Sequence, residues 1–394
     1  PVSSWVRTSA SAGAAAHDLA EAIVHAKGPP GRIATLIAPA DTMREEAEGP
    51  AKLPMMAAQP PPDEMRIREA VDVLRKDEPV ALLLSGSAVL EPGLLLAGRI
   101  AAATGCRVMS DCFPARMERG AGLPMVERMP YFPEAVIERL SDVQHLILIG
   151  APSPVSFFRY PEYPSNLVPE SCRTHTLCAP DEDALPYLDA LAAGLDAPKT
   201  GSELIELKLP DPPNGALTSK SVGAAIAAAL PENAIIADES ATSGGPAFFL
   251  TQTARRHTSM YLTGGGIGMG LPLATGAAVA CPDRPVLALQ GDGGAMYTLQ
   301  ALWTQAREGL NVTNVIFANR KYQILQVEQA RTGLSDPGPI ARGMTELTNP
   351  EIDWRDLAKG MGVKACRPDS AEALYKELQR GLNEPGPCLI EVVL

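Results

Sequence analysis

Residues 286–294 read Val-Leu-Ala-Leu-Gln-Gly-Asp-Gly-Gly, a short apolar run that breaks into three glycines around one aspartate. Val286–Gln290, apolar from Val286 to Leu289, has the length and hydrophobicity of a strand buried on both faces, as in parallel sheets. A helix is expected to follow the glycines, so Asp292 stands at the carboxyl end of a parallel strand, where open α/β sheets bind their ligands. Glycines at 291, 293 and 294 let backbone N–H groups approach a phosphate closely, and the start of the next helix adds a favourable dipole. Taken alone, the stretch reads equally well as a tight strand-to-helix turn with a capping aspartate.

Outward from it the same alternation continues. Ser219–Ala229 reads as helix, Ala234–Ala237 as strand, Gly268–Ala280 as helix, Leu299–Glu308 as helix, Val312–Ala318 as strand, Ala371–Gly381 as helix and Cys388–Val393 as strand. Earlier, Val80–Leu84, Cys106–Met109 and His145–Gly150 read as strands and Leu90–Ala103 as helix. Proline-rich stretches at Gly49–Glu64 and Leu209–Gly215 suit linkers, because proline resists helix and sheet interiors. The fold class is therefore α/β, with two doubly wound parallel-sheet domains, a middle Rossmann-like one and a C-terminal one. Residues 16–26 read as an amphipathic helix and Arg32–Ala38 as a strand with nothing before them to pack on, which predicts the tail of a third domain in a truncated chain. The expected division is 1–45 tail, 46–63 linker, 64–195 middle domain, 196–215 linker and 216–394 C-terminal domain.

Composition narrows the function. With a formal charge of −12 and a pI near 5.0, the 394-residue chain would be repelled by nucleic acid or an anionic membrane, which leaves small-molecule chemistry. No apolar run reaches the roughly 18 residues of a membrane span, and the first residues lack a signal-peptide layout, so a soluble cytoplasmic protein is expected. The seven cysteines are scattered without a C-x-x-C pair and the five histidines form no metal-ligand spacing, which predicts reduced core thiols rather than a zinc site.

The next expected strand, Val312–Ala318, ends in Asn319-Arg320-Lys321-Tyr322, with Asn319 27 residues after Asp292. Consecutive parallel strands bring both carboxyl ends into one crevice. An aspartate oxygen, an asparagine oxygen and a main-chain carbonyl make half of an octahedral magnesium shell, which two diphosphate oxygens and a water complete.

This Gly-Asp-Gly, spacer and terminal Asn resemble the signature of the thiamin-diphosphate enzymes. The family usually closes the motif with Asn-Asn; here the pair is Ala318-Asn319, and the second position, the one that ligates metal, is retained. The resemblance implies thiamin diphosphate and Mg2+ as cofactors, with Asp292, Asn319 and the Lys321 carbonyl as metal ligands. It places Gly291, Gly293, Gly294, Tyr322, Gln323 and Ile324 along the cofactor. Thr263–Pro272 resembles the family's glycine loop, in which Ile267 would wedge the cofactor's two rings into a V and the Gly265 carbonyl would accept from the pyrimidine amino group. Asp238–Ser243 resembles the segment that contacts the diphosphate, here through Ala241 and Thr242. Ala301–Ala306, Gly150-Ala-Pro and Phe158-Arg159-Tyr160 look like the benzoylformate decarboxylase and acetolactate synthase branch.

What the resemblance implies is cleavage or formation of the carbon–carbon bond next to a carbonyl, on a 2-keto acid or acyl substrate, by a homodimer or homotetramer. Leu325 stands where pyruvate-decarboxylase types carry a glutamate, and with Glu328 it is a candidate substrate-pocket residue. Arg119–Pro130 holds no histidine, which departs from benzoylformate decarboxylases. The activating glutamate belongs to the family's pyrimidine-binding domain, of which only the tail is expected in 1–45. Neither Glu232 nor Glu239 is assigned that role, so the chain by itself is expected to be inactive. Rival readings are a 2-hydroxyacyl-CoA lyase or oxalyl-CoA decarboxylase type, and a non-catalytic cofactor-fold module. A Rossmann dehydrogenase would need a G-x-G-x-x-G after a strand, which is absent. Met55-Met56 reads as packing, and Arg255-Arg256-His257 as solvated surface from which His257 could approach the glycine loop.

Overall fold

The computed structural model describes residues 2–28, 31–56, 60–200, 203–334 and 336–394. Residues 57–59 of the expected first linker and 201–202 of the second lie outside that set. The chain divides into two units, one made of Pro1–Cys112 with Val126–Ser202 and the other of Phe113–Met125 with Glu203–Leu394.

The first unit opens with β1 (Trp5–Thr8), α1 (Ala12–Lys27) and β2 (Ala34–Ile37), a small βαβ whose strands pair in parallel from Trp5 opposite Ala34. Ser11 starts the helix by accepting the Ala14 N–H on its side chain. The expectation that nothing precedes the helix for it to pack on is corrected by β1, four residues whose half-buried and exposed sides alternate too briefly to signal a strand. Then come α2 (Glu64–Leu74), β3 (Val80–Leu84), α3 (Glu91–Thr104), β4 (Arg107–Ser110), β5 (Met117–Arg119), β6 (Glu127–Arg128), α4 (Pro133–Leu140), β7 (His145–Ile149), β8 (Arg173–Cys178) and α5 (Ala184–Gly194). All of these but β5 build this unit, around a parallel sheet in the order β6-β4-β3-β7-β8. Its central strands β3 and β7 are buried at every residue, as their apolar sequences require.

The second unit continues with α6 (Ser219–Ala229), β9 (Ala234–Glu239), α7 (Gly245–Thr251), β10 (His257–Tyr261), α8 (Gly270–Ala280), β11 (Val286–Gly291), α9 (Asp292–Ala295), α10 (Ala301–Arg307), β12 (Val312–Ala318), α11 (Gln323–Arg331), α12 (Pro339–Gly343), α13 (Trp354–Gly360), β13 (Lys364–Cys366), α14 (Ala371–Asn383) and β14 (Cys388–Val393). Seven strands form one sheet, β13-β14-β12-β11-β9-β10-β5, parallel except for β5. Period-two alternation loads both faces. Ile236, Leu287, Leu289, Val315 and Phe317 pack with α6, α7 and α14, while Ile235, Ala237, Val286, Ala288 and Ile316 pack with α8, α10 and α13.

Two features depart from the sequence reading. Residues 113–125 interrupt the expected 64–195 domain and join the second unit, where β5 pairs antiparallel with β10, Arg119 opposite His257. Gly120, at φ +103°, lets that segment approach the Arg255 carbonyl so closely that a Cβ would lie 2.5 Å from it. The Arg255–His257 cluster is not solvated surface either: His257 opens β10 and is fully buried, its ring bonded to the Arg255 carbonyl at 2.8 Å. Burial, with the Arg119 charge nearby, pushes the His257 pKa down to about 3. All seven cysteines are free thiols, five of them buried.

Candidate functional site

The carboxyl ends of β9, β11 and β12 are adjacent, since β11 pairs with both neighbours in parallel. Asp292 follows β11 directly and is 3% exposed. Its Oδ1 accepts the Gly293 N–H at 2.9 Å and its Oδ2 accepts the Arg320 N–H at 2.7 Å, a contact made from the turn after β12. Burial raises the Asp292 carboxyl pKa, against those two amides, which lower it. Arg320 takes φ +59° to aim its N–H there, a conformation that costs a non-glycine residue on the order of 1 kcal/mol. Its neighbour Asn319 accepts the Lys321 N–H on Oδ1 at 3.2 Å and donates from Nδ2 to Ser243 Oγ at 3.4 Å.

Ser243 belongs to the segment after β9, so the three strand ends are tied together through side chains. Within that segment Ala241 also lies in the left-handed region, at φ +48°, and Ala241 and Thr242 are exposed. Ser240 is held by Asp238, whose Oδ1 accepts both its N–H, at 3.0 Å, and its hydroxyl.

The glycine loop between β10 and α8 sits beside these ends. Gly264 and Gly265 have φ +62° and +69°, and Ile267 at the tip is 57% exposed. Gly268, at φ +90°, accepts the Thr298 hydroxyl on its carbonyl, and a Cβ there would fall 2.7 Å from Tyr297 Cβ. The strand-to-helix turn is as crowded: a Cβ on Gly293 would meet the Tyr322 ring at 2.6 Å, which is why glycine occupies the position. Tyr322 is fixed in turn by its N–H to the Thr345 carbonyl at 2.8 Å.

The expected residues fall as follows. Asp292, Asn319 and Lys321 lie together at the ends of β11 and β12, with Gly291, Gly293, Gly294 and Tyr322 around them. Ala241 and Thr242 close the β9 side; Gly265 and Ile267 are on the glycine loop. Gln323, Ile324, Leu325 and Glu328 lie on α11, where Leu325 is exposed and Glu328 faces Arg331 at 3.9 Å. One expectation is corrected: the helix that starts at Asp292 is only four residues long, so close amides rather than a macrodipole are what it offers. The sequence places Ser243 and Glu239 in the Asp238–Ser243 segment and withholds the activating role from Glu239, but it discloses neither the Ser243 bond to Asn319 nor the Glu239 bonds to the glycine loop. A glutamate closing the strand one residue after Asp238, behind the apolar run Ala234–Ala237, was the available signal for the second.

Comparison with known proteins adds lineage to geometry. The family model described as "Thiamine pyrophosphate enzyme, C-terminal TPP binding domain" matches residues 243–392. A protein assigned as the acetolactate synthase large subunit IlvX of Mycobacterium tuberculosis is 46% identical over 397 residues, covering 100% of this chain and 76% of that protein. The chain belongs to the thiamine pyrophosphate enzymes. Within them it is of the acetolactate synthase and benzoylformate decarboxylase type: the benzoylformate decarboxylase of Pseudomonas aeruginosa is 33% identical over 277 residues, covering 66% of this chain and 50% of that enzyme. A thiamine diphosphate-dependent 4-hydroxybenzoylformate decarboxylase of Rhodococcus jostii RHA1 has the same fold, with a TM-score of 0.79 at 24% identity over 100% of this chain and 76% of its own. In this thiamine pyrophosphate enzyme the matched residues 243–392 take in the ends of β11 and β12 and the glycine loop, while the end of β9 lies just before them.

Proposed function

We propose that this thiamine pyrophosphate enzyme uses thiamin diphosphate with Mg2+ to cleave or form the carbon–carbon bond next to a carbonyl, as a 2-keto acid decarboxylase or an acetolactate-synthase-like carboligase. The observation that carries the reading is the Asp292–Asn319 pair, held at neighbouring strand ends by the Arg320 amide and Ser243. The donors suit the group. Asp292 is a buried carboxylate whose charged form burial disfavours, so a hard divalent cation beside it would relieve that cost, and Asn319 and the Lys321 carbonyl add oxygen ligands.

When bound, thiamin diphosphate supplies a nucleophilic ring carbon and an electron sink for carbon–carbon cleavage. The chain's own part is positioning. Asp292, Asn319 and Lys321 would hold magnesium; the backbone at Ala241, Thr242, Gly293 and Gly294 would hold diphosphate oxygens. Gly265 and Ile267 would set the ring end, and Leu325 and Glu328 would face a 2-keto acid or acyl substrate. Assembly as a homodimer or homotetramer belongs to the same proposal.

Calorimetric titration with thiamin diphosphate and MgCl2 tests it. Wild type should bind only with magnesium present, and Asp292→Ala should lose that binding. Equal affinity in the two proteins would refute the assignment.

A further inference from the structure

Glu239 ends β9 with its side chain turned inward, and the residue is 6% exposed. Its Oε1 accepts the Gly268 N–H at 2.5 Å and its Oε2 accepts the Gly270 N–H at 2.7 Å. Both amides lie on the far side of Ile267 from the loop's start, one on each side of Met269, and Gly270 is the first residue of α8, whose N–H has no partner within the helix. Across the sheet, Glu239 is in register with Gln290 of β11, which is wholly buried and, among the described residues, has neither polar atom of its amide hydrogen-bonded. Both side chains crowd the same glycines. A Cβ on Gly270 would lie 2.1 Å from Gln290 Oε1, and one on Gly294 would lie 2.7 Å from both Gln290 Nε2 and Glu239 Oε1.

We propose that Glu239 is a positioning residue of the cofactor site: with Gln290 packed beside it as a floor, its carboxylate fixes where the Ile267 loop stands. Two N–H donors converge on it, and only a carboxylate offers an acceptor to each; a carboxamide would turn an N–H toward one of them. An uncompensated buried charge is costly, so the loop amides and the carboxylate hold each other in place. Thr298 holds the same Gly268 through its carbonyl, which leaves Ile267 projecting from a segment pinned at Gly268 and Gly270. The effect on cofactor binding rests on the function proposed above; the effect on the loop does not.

Amide hydrogen exchange on the cofactor-free chain reads the loop directly. In wild type the Gly268 and Gly270 amides should exchange at least tenfold more slowly than those of Gly264 and Gly265, and in Glu239→Gln at least one of the two should lose that protection. Unprotected Gly268 and Gly270 in wild type would overturn the proposal without any variant. A second reading compares Mg2+-dependent affinity for thiamin diphosphate and for inorganic pyrophosphate. Glu239→Gln should weaken the first about tenfold and leave the second within twofold, whereas Asp292→Ala should lose both. Equal loss of both in Glu239→Gln means a general collapse and overturns the proposal. If wild type binds neither probe, the proposed function fails while the exchange measurement still decides the role of Glu239. Should Glu239→Gln not fold, Glu239→Asp, one methylene shorter, carries the same readouts.

Discussion

Single side chains at the sheet's carboxyl edge and in its core make predictions that can be read separately. Gly293 is confined by the Tyr322 ring, with Leu347 3.5 Å from where a Cβ would be. Gly293→Ala should therefore displace Tyr322 and the turn that carries Asn319 and Lys321. It should weaken thiamin diphosphate binding about tenfold or more and cost about 1–3 kcal/mol of stability from overpacking; calorimetry and urea denaturation measure the two, and wild-type values in both would refute the crowding. His257 gives a pH dependence. Its folded pKa, about 3, lies below the ordinary histidine value, so the unfolded chain binds the proton more readily. The stability this represents is fully present above about pH 6.5 and is lost as pH falls toward 3, at about 1.4 kcal/mol per pH unit. Asn in its place can keep the bond to the Arg255 carbonyl without titrating. His257→Asn should show a shallower fall in denaturation midpoint between pH 6 and 4; parallel curves would be the contrary result.

Among the elements, β5 is held more by side chains than by its three residues of ladder. Arg119 is buried, donates from its guanidinium to Thr251 Oγ1 at 3.0 Å and to the Phe248 carbonyl at 2.7 Å, and lies over the Phe248 ring at 3.8 Å. Arg119→Met, which keeps volume but not donors, should cost about 2–3 kcal/mol and open residues 113–125 to proteolysis, with β10 amides losing protection. Unchanged cleavage would show the ladder alone to suffice. β5 also marks the limit of what the sequence discloses. Val312–Ala318 and Ser219–Ala229 are legible to the residue because an apolar run or a helical stripe is bounded by a breaker or cap. Met117-Glu-Arg119 and His257-Thr-Ser-Met-Tyr261 carry no such pattern; their polar atoms are buried because they answer each other, as Thr258 does with Glu118 and Arg284. The candidate site was legible for the same reason as the central strands. Asp292 and Asn319 follow strands rich in apolar residues, Val286–Leu289 and Val315–Ala318, whereas the Ser243 and Glu239 contacts depend on loops whose paths no periodicity records.

At the scale of the whole molecule, the second sheet is assembled from two separate stretches of chain. Cutting the protein within the second linker, to residues 203–394, would retain six of its strands and remove β5, leaving β10 as an edge with unmet N–H and C=O groups. That fragment should self-associate in light scattering and recover when residues 113–125 are fused back; a monomeric fragment melting as the intact unit does would refute the dependence. The order of synthesis follows from the same topology. A ribosome releases β5 long before its partner exists: the strand that receives it emerges roughly 140 residues later, which at about 5–20 residues per second is a delay on the order of ten seconds. During that interval the first unit's sheet must close around a gap in its own sequence while three residues wait unpaired for a strand not yet made, so the rate of translation, and whatever shields that segment meanwhile, becomes part of how this protein reaches its fold.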